Sequence, residues 1–271
     1  MKRILLAIVA LAVIAVGAWF FFLRSSGVPV YAVNVAATHP HDPSAFTEGL
    51  FFKDGALYES TGVEGTSFIR KVDPATGRVL QQVDLPAPYF GEGIVAFGDK
   101  LYQLTWKDQT GFTYNFKDMA LGDTFSYQGE GWGMTENGKN IIMSNGSDEL
   151  RFLDPKTMQT ASTIKVTANG CPVQKLNELE WIDGEIWANI WQTNLIARID
   201  PATGKVKSFL DVSSIAPKSD DPDIVPNGIA YDGATKRVMV TGKRWSQVFE
   251  VKQGAAVSNN TQAAQLTTCS R

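Results

Sequence analysis

Short apolar runs bounded by turn signals recur along residues 48–251 and predict strands rather than helices. Five motifs open similar units: Glu48-Gly49-Leu50, Glu92-Gly93-Ile94, Glu130-Gly131-Trp132, Asn177-Glu178-Leu179 and Asn227-Gly228-Ile229. They lie 44, 38, 47 and 50 residues apart. Shortly after each opening comes a turn pair: Asp54-Gly55, Gly98-Asp99, Asn137-Gly138, Asp183-Gly184 and Asp232-Gly233. Such pairs supply the positive φ that a two-residue β-hairpin needs. A β-rich run follows each: Leu57-Tyr58, Leu101 to Thr105, Ile141 to Ser144, Ile186 to Trp191, and Val238 to Thr241.

Further into the units a second loop recurs. Asp73-Pro74-Ala75-Thr76-Gly77 and Asp200-Pro201-Ala202-Thr203-Gly204 are near copies, Asp154-Pro155-Lys156-Thr157 is degenerate, and Asp118 and Glu250 hold the comparable positions elsewhere. Pro presets one turn position and Gly accepts the left-handed one. Each unit therefore reads as four antiparallel strands in about 45 residues, the size of a propeller blade. The repeat predicts an all-β, five-bladed β-propeller with four-stranded antiparallel blades over residues 28–252, followed by a polar C-terminal tail at 253–271. The strand-like Val30 to Val35 precedes the first unit and is expected to supply the outer strand of the fifth, covering an edge that would otherwise stay unpaired.

Residues 1–27 stand apart. Lys2 and Arg3 precede an uncharged run from Ile4 to Leu23, closed by Arg24. As a helix that run would reach about 30 Å, enough to cross a bilayer. It reads as a signal anchor at residues 4–23 with its amino terminus in the cytosol; a cleaved signal peptide is the alternative. Either exports the rest to the periplasmic or extracellular face, and membrane contact is confined to this segment. Cys171 and Cys269 could pair in such an oxidising compartment.

Composition narrows the chemistry. With 44% apolar residues, 20% charged residues and a net charge of −3 the chain is neither disordered nor fibrous. It lacks the basic excess a nucleic-acid partner would require. Two cysteines and two histidines exclude a zinc-finger array or an iron–sulfur protein. His39 and His41, flanked by Pro40 and Pro43, read as an extended loop in preference to a metal site.

Blade geometry says where function gathers. The starts of first strands and the ends of second strands converge at one mouth of the axial channel. That mouth should collect Glu48, Glu92, Glu130, Asn177 and Asn227, together with Thr61, Trp106, Trp132, Asn145, Trp191 and Lys243. Carboxylates, amides, one lysine and three indoles make a small-molecule pocket in composition. Each also has a plainer reading: the indoles as packing between blades, the carboxylates as strand-start hydrogen-bond acceptors.

At these residues the chain resembles the plant-type glutaminyl-peptide cyclotransferases. The resemblance rests on Ala45-Phe46-Thr47-Glu48-Gly49-Leu50, Phe90-Gly91-Glu92-Gly93-Ile94, Leu101 to Lys107, Gly129 to Gly133, Leu176 to Trp181, Ile186 to Trp191, Asn227 to Asp232 and Val240 to Lys243, and it spans roughly Tyr31 to Val251. It implies a five-bladed propeller that cyclises N-terminal glutamine of peptides or proteins to pyroglutamate, releases ammonia, and uses neither cofactor nor catalytic metal. The family's active-site positions fall on Phe46, Glu48, Phe90, Glu92, Trp106, Trp132, Asn177, Trp191 and Lys243. Plant members carry Gln where this chain has Glu48.

The residue types suit that reaction. Glu92 is the expected proton carrier, Asn177 and Lys243 the donors to the oxyanion, and Phe46, Glu48, Phe90, Trp106, Trp132 and Trp191 the substrate-binding wall. The chain is expected to act as a monomer. Two rival readings stay open: a metal-dependent propeller hydrolase or lactonase, its ion held by Glu48, Glu92, Glu130, Asn177 and Asn227, and a non-catalytic binding propeller.

Overall fold

The computed structural model describes residues 27–269. The fold is all-β, with one short helix, α1 (Thr261–Leu266). Strands β2 (Thr47–Lys53), β3 (Ala56–Thr61), β4 (Phe68–Val72) and β5 (Val79–Asp84) form one antiparallel sheet in that order. A second sheet holds β6 (Gly91–Phe97), β7 (Lys100–Thr105), β8 (Thr110–Asn115) and β9 (Leu121–Ser126). A third holds β10 (Met134–Glu136), β11 (Ile141–Met143), β12 (Glu149–Leu153) and β13 (Thr160–Lys165). A two-stranded ribbon follows, β14 (Thr167–Ala168) and β15 (Cys171–Pro172).

The remaining strands join in one eight-stranded sheet. One half is β16 (Leu176–Ile182), β17 (Glu185–Ile190), β18 (Leu195–Ile199) and β19 (Val206–Asp211); the other is β20 (Pro226–Asp232), β21 (Arg237–Gly242), β22 (Gln247–Ala256) and β1 (Val30–Pro40). β1 pairs antiparallel with β22, the partner the sequence pattern predicts, and its start pairs in parallel with β19. That second pairing joins the two halves and leaves no free edge between them. The inner strands β2, β6, β10, β16 and β20 pack each against the next in a closed cycle, and apolar residues fill the spaces between sheets, as Tyr58, Ile69, Ile94, Leu101 and Phe112 do between the first and second.

The predicted turns hold at Asp54-Gly55, Gly98-Asp99 and Asp183-Gly184, which directly link paired strands. Asp232-Gly233 does not make a two-residue turn. The link runs on to Lys236, and Asp232 organises it by accepting hydrogen bonds from the Ala234 and Thr235 amides and pairing with Arg237. Glu250 lies inside β22 rather than in a loop, because β1 covers that strand along its length. For the same reason β22 continues past Val251 to Ala256, and the tail then folds into α1, capped by Asn260. The predicted anchor at residues 4–23 lies outside the described residues; among those described, no helix is long and apolar enough to cross a membrane.

The opening motifs sit on irregularities in pairing. Register shifts fall between Thr47 and Gly49, Gly91 and Ile94, Leu176 and Leu179, and Pro226 and Ile229. Such bulges break the in–out alternation and re-aim side chains, here those of Glu48, Glu92, Asn177 and Asn227. The third opening lies before its strand: Trp132 N–H donates to Ser144 O at 3.1 Å, and Ser144 N–H to Gly133 O at 3.0 Å, in place of a regular ladder. Glycine near the openings, where it occurs, has a steric reason. A Cβ on Gly93 would stand 2.7 Å from the Met134 nitrogen, and one on Gly133 2.2 Å from the Asn177 carbonyl oxygen.

A buried charge cluster ties the chain's start to the first and last sheets. His41 contacts Trp245 O through Nδ1 at 2.6 Å and Glu59 through Nε2 at 2.9 Å. Both partners are acceptors, so both ring nitrogens donate and the ring is an imidazolium. Glu59 also accepts from Thr47 Oγ1 and from Arg70 Nε, each at 2.7 Å. Burial works against both charges. For His41 the Glu59 carboxylate outweighs burial and raises its pKa above 6.5; for Glu59 the His41 and Arg70 charges bring it down to about 2. His41 therefore contributes stability that is complete below its ordinary 6.5 and is lost as pH rises through its folded value. The Glu59 contribution is present above 4.5 and lost as pH falls through about 2. His41→Ala should cost about 3 kcal/mol near pH 6. In urea titrations across pH 6–9 the gap between wild type and variant should narrow with rising pH; a gap independent of pH would show that the ring is neutral in the fold.

Candidate active site

The bulges deliver their side chains to one cavity of about 210 Å³. It is lined by Phe46, Glu48, Phe90, Glu92, Trp106, Trp132, Asn177, Trp191, Asp223 and Lys243. All nine residues expected at the site from the sequence are among these ten. The other members of the expected mouth stand behind it. Asn227 donates from Nδ2 to Thr47 O at 2.9 Å and to Glu48 Oε2 at 3.0 Å. Thr61 is buried in β3, and Asn145 accepts from Ser147 in a turn. Glu130 lies outside the lining, but its Oε2 accepts from Trp106 Nε1 and Trp132 Nε1, both at 2.9 Å. One carboxylate oxygen thus holds two of the three indoles.

The aromatic wall is continuous on two sides. Phe90 meets Phe46 edge-on at 6.2 Å and Trp106 at 5.6 Å, while Trp132 and Trp191 meet edge-to-face at 5.7 Å. Lys243 is the one cation among the lining residues. Its Nζ donates to Glu48 Oε1 at 2.7 Å and lies 4.5 Å from the centre of the Phe46 ring. An ammonium has three donors, so this ion pair leaves it capacity for a ligand.

Glu48 and Glu92 are both buried in the same cavity wall, and each feels the other's charge state. Two carboxyls this close cannot both ionise cheaply. Burial drives Glu92 well above the carboxylate range, and the charges of Glu48 and Glu130 push the same way against Lys243. Burial also raises Glu48, with Lys243 opposing it at close range. Lys243 and Asn227 hold both oxygens of Glu48, so of the two carboxyls Glu92 is the one that keeps its proton to higher pH. Two buried acceptors, Glu92 Oε2 and Asn177 Oδ1, have no hydrogen-bond partner. Orphan acceptors in a cavity wall are what a polar ligand would satisfy.

The acidic ring considered for a metal does not assemble. Glu48 is held by the Lys243 ammonium and Glu130 by two indoles, and among the described residues no group of three His, Cys, Asp or Glu side chains is arranged to hold an ion.

Residues 5–253 match the glutamine cyclotransferase family. The chain belongs to that family. It is 40% identical over 236 residues to a glutaminyl-peptide cyclotransferase of Arabidopsis thaliana, an alignment covering 84% of this chain and 74% of that protein. It also superposes on the crystal structure of Myxococcus xanthus glutaminyl cyclase with a TM-score of 0.79 at 33% identity, over 85% of this chain and 100% of the other.

Two contributions to this cyclotransferase site escape the sequence. Asp223 comes from the long link between β19 and β20, which carries no repeat marker. The indole clamp of Glu130 depends on where Trp106 and Trp132 come to lie, which spacing does not specify. Glu130→Ala should release both rings. We expect red-shifted tryptophan emission and stronger acrylamide quenching with unchanged far-ultraviolet dichroism; unaltered emission would mean that packing alone orients the indoles.

Proposed function

We propose that this chain converts N-terminal glutaminyl residues of peptides or proteins to pyroglutamyl residues with release of ammonia. The observation that carries the reading is a protonatable Glu92, paired with a lysine-held Glu48, inside an aromatic cavity of a glutamine cyclotransferase. The substrate's α-amine titrates near 7.7–8.0, so a neutral fraction exists at physiological pH. It attacks its own γ-carboxamide carbon. A five-membered ring closes without a second molecule, and orientation by the aromatic wall supplies much of the acceleration. Asn177 and Lys243 donate to the carbonyl oxygen as it gains charge. Glu92, as carboxylate, takes a proton from the attacking amine and returns it to the departing nitrogen. The C–NH₂ bond breaks, ammonia leaves, and the enzyme regains its starting state with no water consumed. Burial and the Glu48 charge raise Glu92 toward working pH, where a proton shuttle is most effective.

The architecture is read as a five-bladed β-propeller. Support comes from the closed cycle of β2, β6, β10, β16 and β20, each opening a run of four strands, with the eight-stranded sheet taken as two blades joined through β1 and β19. The enzyme is further proposed to be exported, anchored by residues 4–23, and active as a monomer. The charge pattern around Ile4 to Leu23 supports the anchor, and a disulfide between Cys171 and Cys269 supports an oxidising compartment.

Ammonia release from a glutaminyl dipeptide tests the activity, and it should survive exhaustive chelation; loss on chelation with recovery on adding a divalent ion would favour the metal-dependent hydrolase. Glu92→Gln should lower kcat by about 10²–10⁴-fold with little change in KM; near-normal turnover would reassign the proton carrier. Glu48→Gln removes a negative charge beside Glu92, so Glu92 should titrate lower. That variant should stay active while the acidic limb of its pH–rate profile moves to lower pH. An unmoved limb would mean that the two carboxyls are uncoupled during turnover.

A further inference from the structure

A second concavity adjoins the proposed active site. Its volume is about 720 Å³, against 210 Å³ for the cavity. The turn Gln192–Asn194 forms one wall, the link through residues 213–225 another, and Gln262 of α1 contributes from a third side. The two concavities share their boundary. Trp191 lines the cavity and Gln192 the groove; Asp223 lines the cavity while Pro222 and Ile224 line the groove. Val225, on the groove, accepts the Lys243 N–H at 3.0 Å.

Size separates what the two can hold. Pockets that enclose a drug-sized ligand run to about 300–1,000 Å³. The cavity falls below that range and suits a single side chain; the groove falls within it. A glutaminyl substrate reacts through its amine and side chain alone, and its carbonyl leads on into the rest of the peptide. That continuation must leave the cavity over one of its walls. The wall at Trp191 and Asp223 opens on a groove that offers the amides and hydroxyls of Gln192, Thr193, Asn194, Ser213 and Ser219, with the charged Lys218, Asp220 and Asp221 along the link. The amides and hydroxyls match main-chain N–H and C=O, while the charged residues of the link face what the peptide's own side chains bring.

The groove is also a held structure. Gln262 accepts the Asn194 N–H at 3.0 Å, and Asn260 donates to Asp211 at 2.7 Å while capping α1. Beyond the helix, Cys269 is bonded to Cys171 of the β15 strand. These fastenings keep a six-residue helix at the groove wall.

We propose that this groove binds the main chain of the residues that follow the N-terminal glutamine. The assignment rests on the cyclisation reading and extends it to peptide length. The test compares kcat/KM for Gln-Ala with that for Gln-Ala-Ala-Ala-Ala, using the full chain. Wild type should favour the pentapeptide, mainly through KM, as interactions equal in ground and transition states require. Ser213 is exposed, so Ser213→Trp should fold while filling the groove. It should remove the pentapeptide advantage, about tenfold in kcat/KM, and leave the dipeptide within about twofold. Inhibition by the pyroglutamyl pentapeptide product, compared with the pyroglutamyl dipeptide, gives a reading independent of that variant; the longer product should bind tighter to wild type. Equal kcat/KM for the two lengths and equal inhibition by the two products would overturn the groove while leaving cyclisation intact. No ammonia from either substrate would overturn both.

Discussion

The structure turns on how closely β2, β6, β10, β16 and β20 approach one another. At the openings the backbones meet nearly in contact: Gly93 N–H donates to Trp132 O at 2.7 Å, and the spaces beside Gly49, Gly93 and Gly133 are too small for a methyl group. Glycine at these three positions is therefore a requirement of packing. At three of the openings, Glu48, Glu92 and Asn177, the residue on the bulge turns its side chain into the cavity. Fold and site have a common cause, since the distortion that lets neighbouring strands meet also gathers Glu48, Glu92 and Asn177. Glu178 extends the same logic inward: it reaches from β16 to accept from the Leu50 amide of β2 and the Ile229 amide of β20, at 3.3 and 2.8 Å.

That convergence is electrostatically costly. Glu48, Glu92, Glu178 and Glu180 are all buried, and burial raises each of them. Glu178 and Glu180 are further bound by backbone amides, and Glu48 by a lysine and an amide. Glu92 alone among them presents an unpartnered oxygen. A buried carboxyl without compensation lowers stability, and here it stands in the wall of the cavity, where the proposed proton transfer would take place. Stabilising charge lies elsewhere, in the fully donated and accepted cluster of His41, Glu59 and Arg70. The division is the usual one between a site kept reactive and a scaffold that offsets its cost.

The walls of the site have separate supports. Glu130 stands behind the cavity and orients two indoles, while the Asp223 wall belongs to a long link shared with the neighbouring groove. Residues that react, residues that orient and residues that lead the substrate away are thus on different elements.

The repeat was legible because it is periodic. Opening motif, turn pair and β-rich run recur in one order, and each is imposed locally, by steric demand, by positive φ or by strand propensity. From that alone the all-β class, the strand order within units, the pairing of the Val30 segment with the last unit and seven of the ten cavity residues follow, while Phe46 and Phe90 were indicated by the family resemblance. What has no period was not legible. The parallel pairing of β1 with β19, the extension of β22, the helix after it, the clamp of Glu130 and the position of Asp223 each join residues far apart in the chain. The paired state of Cys171 and Cys269 is of the same kind, since spacing permits it and only the docking of α1 brings the two sulfurs together. Local chemistry names the elements; which surfaces they bury against one another is settled only when the ring of strands closes.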